Sequence, residues 1–101
     1  MQKSAYIRIS KTIIQKLYSL GCWSKGSLYE DNLRSGIKEK GIDIKKVLEA
    51  LCKQKILCTK PHKYGTKYYL NPERRDKIGQ IIKEKPRKRN SILMILLFGE
   101  L

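Results

Sequence analysis

Residues 44–57 read Ile44-Lys45-Lys46-Val47-Leu48-Glu49-Ala50-Leu51-Cys52-Lys53-Gln54-Lys55-Ile56-Leu57, and their apolar period changes partway along. Ile44, Val47, Leu48, Leu51 and Cys52 fall at i, i+3, i+4, i+7 and i+8, one amphipathic helix face without exceptions. Asp43 stands where a carboxylate caps the first turn. Lys45, Lys46, Glu49 and Lys53 lie off the apolar face. The spacing predicts a helix over 44–55. From Ile56 the helical period is lost, and Ile56-Leu57-Cys58-Thr59-Lys60 is short and partly β-branched, the pattern of a strand.

Toward the C-terminus, Lys67-Tyr68-Tyr69-Leu70 is a second strand candidate. Pro61-His62-Lys63-Tyr64-Gly65-Thr66 lies between, a six-residue basic loop punctuated by Pro and Gly. Asn71-Pro72-Glu73 then supplies an N-cap, a proline at the first helical position and an acid in the first turn. A helix to about residue 85 follows, with Ile78, Ile81 and Ile82 on its apolar side and Pro86 as its stop.

Toward the N-terminus, Ile9, Ile13, Leu17 and Leu20 form one helical stripe, and Gly21 is a permissive terminator. Ser27, with Glu30 three residues on, has capping-box spacing and opens a short helix bearing Leu28, Tyr29 and Leu33, closed by Ser35-Gly36. The expected fold is mainly α with a small β-hairpin (α+β). Its order is helix, helix, helix, strand, strand, helix, within a single domain over 1–85, followed by a basic then apolar C-terminal extension over 86–101.

Two segments carry a resemblance. Val47-Leu48-Glu49-Ala50-Leu51-Cys52-Lys53-Gln54-Lys55-Ile56-Leu57 resembles the third helix of winged-helix domains passing into the first hairpin strand. Tyr64-Gly65-Thr66-Lys67-Tyr68-Tyr69-Leu70-Asn71-Pro72-Glu73 is similar to their wing tip, return strand and capped final helix. The resemblance covers roughly residues 9–85, and in tone the chain is similar to small basic proteins of archaea and their viruses. It implies a winged-helix fold whose third helix enters the major groove of DNA while the wing touches flanking backbone. The residues so implied are Lys45, Lys46 and Lys53 on the helix, and Lys60, His62, Lys63 and Lys67 on the wing. No Arg, Asn or Gln stands in the first two turns of the helix, so its chemistry suits phosphates better than base edges.

Charge points the same way independently. Lys plus Arg number 23 against 9 Asp plus Glu, a net charge of +14, with mean hydropathy −0.50. Self-repulsion of this size works against compactness and is relieved by a polyanion. Residues 60–90 carry eleven bases and three acids. Within them Arg87, Lys88 and Arg89 end a dense basic run, expected to track a phosphate backbone as an arm. Double-stranded DNA is the expected partner, in a regulatory or architectural role, with structured RNA as the alternative.

Catalysis and metal binding find little support. Cys58 and His62 are separated by three residues, and Cys52 and Cys58 by five, looser than the usual zinc pairs. No phosphate-cradling glycine loop, acid pair or nucleophile elbow is present, so neither an enzyme nor a cofactor is expected. Trp23 and Tyr6 are expected in the core. Three cysteines without framework spacing, and no apolar leader in residues 1–10, imply a reduced, intracellular (cytoplasmic or nucleoid-associated) setting.

Ile92 to Phe98 is an uninterrupted apolar run. Exposed, it would promote aggregation, so it needs cover. A homodimer contact through Ile92, Leu93, Ile95, Leu96 and Phe98 is the first expectation, the chain's own core the second and a membrane surface the last. A protein-interaction module built on this run is the alternative from a different functional class.

Overall fold

A computed structural model of the chain describes residues 3–38, 41–84 and 91–99. Among them are five α-helices and a three-stranded antiparallel sheet, a small α+β architecture. In chain order these are α1 (Lys3–Ser19), β1 (Leu28–Tyr29), α2 (Glu30–Arg34), α3 (Ile44–Lys53), β2 (Leu57–His62), β3 (Gly65–Leu70), a 3₁₀ turn (Pro72–Arg74), α4 (Arg75–Lys83) and α5 (Ser91–Phe98).

The core follows the helical stripes. Ile9, Ile13 and Leu17 of α1, Val47, Leu48 and Leu51 of α3, and Ile78 and Ile81 of α4 are all buried. Leu57, Tyr68 and Leu70 close the core from the inner face of the sheet. Leu20, expected on the α1 stripe, is 61% exposed because the helix ends at Ser19. There Gly21 takes φ +67°, the Gly21 amide donates to the Tyr18 carbonyl, and the Cys22 amide donates to the Leu17 carbonyl. This paired closure seats Cys22 against Leu17 and leaves Leu20 outside. At the other end α1 extends back to Lys3, burying Ala5, Tyr6 and Ile7.

Helix α3 starts as expected: an Asp43 carboxylate oxygen accepts the Lys45 amide at 2.9 Å. It ends at Lys53, two residues early, through the same kind of closure. The Ile56 amide donates to the Leu51 carbonyl and the Lys55 amide to the Cys52 carbonyl. Lys55 is thereby held at φ +64°, a conformation that favours glycine. Lys55→Gly is therefore expected to stabilise the fold by about 0.5–1 kcal/mol, the relief of left-handed strain exceeding the added chain entropy. A rise in the urea midpoint at unchanged slope checks this; a fall would show that Lys55 is not strained there.

Two expectations for the sheet need correction. The six-residue loop is a two-residue turn, Lys63-Tyr64, because the strands run on to pair Pro61 with Thr66 and His62 with Gly65. Pro61 is tolerated because β2 lies at the sheet edge, where a missing amide breaks no ladder. Ser27 does not cap a helix: Leu28 and Tyr29 pair with Tyr68 and Lys67 of β3, giving strand order β1-β3-β2. Helix α2 begins only at Glu30, and Glu30 bonds to Arg34 one turn on. Asn71 does cap as expected, accepting the Glu73 amide at 3.0 Å. The stop expected at Pro86 lies outside the described residues.

The apolar run forms α5 and packs on its own chain. Leu93 is wholly buried in the core, so it has no surface left for a second copy. Phe98 meets Tyr6 edge to face at 5.6 Å, and Ile92 and Leu96 are half-buried against the same core. Ile95 is exposed. No described helix is long and apolar enough to cross a membrane.

Candidate nucleic-acid interface

Helix α3 presents Lys45, Lys46, Glu49 and Lys53 to solvent. At about 100° per residue, these four share one side, with Glu49 among the lysines. The opposite side is anchored in the core, and a second attachment fixes the helix to α1: the Tyr6 hydroxyl donates to the Lys46 carbonyl at 2.8 Å. Burial, then the carboxylates of Glu49 and Asp43, raise the Tyr6 pKa, keeping the hydroxyl protonated as a donor. The lysines thus project from a capped, rigidly seated helix, although Glu49 opposes part of their field.

The hairpin tip stands beside the start of α3. Lys45, Tyr64, Gly65 and Thr66 share the walls of a cleft of about 620 Å³. Tyr29, Glu30 and Asp31 form part of its other wall. Lys63 and Tyr64 are exposed at the tip, with Tyr64 at 78%. An aromatic ring so exposed in a hairpin turn was not singled out from the sequence. Its only signal was a tyrosine beside glycine in a stretch read as a loop.

The other basic residues of the hairpin do not join this surface. Strand alternation places Leu57, Tyr68 and Leu70 inward, so Lys60, His62 and Lys67 stand on the outer face, turned away from α3. Tyr29 and Tyr69 stand among them. The Lys67 ammonium lies 4.8 Å from the Tyr29 ring centre. The Lys60 ammonium lies 5.7 Å from the Tyr69 ring centre and donates to the Ser24 carbonyl at 2.8 Å. The Tyr29 hydroxyl is hydrogen-bonded to His62 Nδ1. Sequence inspection missed Tyr29 and Tyr69 as members of this cluster, because only the strand register brings them to the lysines.

Arg87, Lys88 and Arg89 lie outside the described residues. Trp23 is half-buried between Tyr18, with ring centres 5.9 Å apart, and Arg75, whose guanidinium is 4.8 Å from the indole centre. Burial, then Cys58 and Glu49, push the Cys52 thiol up to about 11, well removed from a thiolate at neutral pH. Among the described residues no three His, Cys, Asp or Glu side chains are grouped to hold a metal ion. Comparison with family models, with curated proteins and with solved structures finds no match for the chain.

Proposed function

We propose that the chain is a winged-helix protein that binds double-stranded DNA, as a regulator or architectural factor. The observation that carries this is the seating of Lys45, Lys46 and Lys53 on one exposed side of a capped helix beside the hairpin tip. The order α1-β1-α2-α3-β2-β3 with sheet order β1-β3-β2 supports the winged-helix assignment. Helix α3 faces the groove, Lys63 reaches the flanking backbone, and Arg87, Lys88 and Arg89 extend the footprint along it. Lysine is a point charge rather than a bidentate fork, so the contact is dominated by phosphate and only weakly selective in sequence.

A fluorescence-anisotropy titration of labelled duplex at several salt concentrations tests this, with unlabelled RNA as competitor. Neutralising about six phosphates gives a log–log slope near −5. Affinity indifferent to salt, or duplex displaced by equimolar structured RNA, would overturn the duplex assignment.

A further inference from the structure

The strand register sets the outer face of the sheet out as a grid. One row crosses all three strands as Tyr29, Lys67 and Lys60. The neighbouring rows on the same face hold Cys58 opposite Tyr69 and His62 opposite Gly65. Rows lie ~6.8 Å apart along the strands and columns ~4.8 Å apart across them. None of these seven positions is acidic, and Gly65, with open space at its Cβ position, leaves the surface beside His62 clear.

Two features of this face set what a ligand must bring. Lys60 and Lys67 are directly opposite each other, a like-charge pair that weakens strand pairing. Aromatic rings and cationic groups also alternate across the face, with Tyr29 and Lys67 half-buried and Tyr69 half-buried with part of its ring against the core. A strand of phosphates and unpaired bases meets both needs. Phosphate offsets the Lys60–Lys67 repulsion, and bases supply flat rings to lie on Tyr29 and Tyr69. To reach the backbone, Lys67 leaves its place over the Tyr29 ring and Lys60 exchanges its bond to the Ser24 carbonyl for a phosphate. A duplex fits less well, since its bases are already stacked and the rings would go unused.

We propose that this face is a second nucleic-acid surface, specific for a single strand and taking about two or three nucleotides. It goes beyond the duplex assignment, because the inner side of the sheet is packed on the helices and Lys60, His62 and Lys67 stand on the other side from α3, with Tyr29 and Gly65 at the rim between the two surfaces. The two surfaces adjoin at Tyr29 and Gly65 without sharing a lysine, so one molecule bridges a duplex and an unpaired strand.

The test uses the whole 101-residue chain with labelled twelve-nucleotide oligo-dT and oligo-U, whose comparison separates DNA from RNA as the source of the strand. Lys60→Gln/Lys67→Gln is expected to weaken single-strand binding at least tenfold. Tyr29→Leu is expected to weaken it about 5- to 160-fold, the range for loss of one stacked base. Tyr29→Phe keeps the ring while losing the bond to His62, and is expected to bind within about twofold of the parent. Lys45→Gln/Lys46→Gln/Lys53→Gln leaves single-strand affinity unchanged, and saturating unlabelled duplex does not displace the strand. Circular dichroism checks each fold; should the double variant unfold, Lys67→Gln alone replaces it, with at least a threefold loss expected. Unchanged affinity in the folded Lys60, Lys67 and Tyr29→Leu variants overturns the proposal. So does one-for-one displacement by duplex. Failure of the α3 substitutions to weaken duplex binding would count against the proposed function while leaving the single-strand result standing.

Discussion

Replacing Lys45, Lys46 and Lys53 together by glutamine is expected to weaken duplex DNA binding on the order of 10²–10³-fold near 0.1 M salt. Each lysine that neutralises a phosphate adds about −0.9 to the log–log salt slope. Losing three of about six contacts should therefore bring the slope from about −5 to about −3, and the same arithmetic gives the loss of affinity. The structure makes this a clean experiment. All three side chains are exposed, and none forms part of the apolar side of α3. The attachment of α3 to α1 uses the Lys46 carbonyl rather than its side chain, so it survives substitution. Glutamine has nearly the helix propensity of lysine, and stability is expected to change by less than about 0.5 kcal/mol per site. Unchanged duplex affinity in this folded variant would remove α3 from the interface.

Truncating Leu48 to alanine is expected to cost about 3 kcal/mol, within the usual 2–5 kcal/mol for a buried leucine. Leu48 is wholly buried, among side chains from several elements that leave a cavity no single movement fills. Small domains are stable by only ~5–15 kcal/mol, so this loss is a large fraction of the whole. Leu20→Ala is the paired control: 61% exposed and beyond the end of α1, Leu20 should cost less than about 0.5 kcal/mol. Urea denaturation of both variants measures the contrast. Equal costs would mean that the α1 end and the α3 core face are not arranged as described.

That contrast also marks what the sequence made legible. Ile9, Ile13 and Leu17 have a helical period, and their burial was readable, but Leu20 fitted the same period and is exposed. Periodicity does not report where a chain leaves the helix; Gly21 did, one residue later. The α3 lysines were readable for the same reason, since their positions follow from the apolar face of a single helix. Its end was not, because a lysine rather than a glycine takes the left-handed position at residue 55. Strand β1 has only two residues, too few to show any alternation, and it exists through pairing with Tyr68 and Lys67 some forty residues away.

The outer sheet face was hidden for a related reason. Lys60 and Lys67 looked like loop neighbours of Lys63, whereas alternation within the strands turns them to the other side. Tyr29 joins them only through tertiary register. The α5 run has no period because nearly every position is apolar, so composition required cover for it without selecting the side. The buried Leu93 and the contact between Phe98 and Tyr6 put one side of the run on the chain's own core.

Amide chemical shifts of the ¹⁵N-labelled chain, followed while unlabelled duplex DNA is added, test the duplex interface most directly. The expected result is a contiguous set of changes over residues 44–53 and the hairpin tip at 63–66, with α5 and the outer-face positions Lys60, Lys67 and Tyr69 little moved. Changes gathered on α5 or on the outer face, with α3 unmoved, would contradict it.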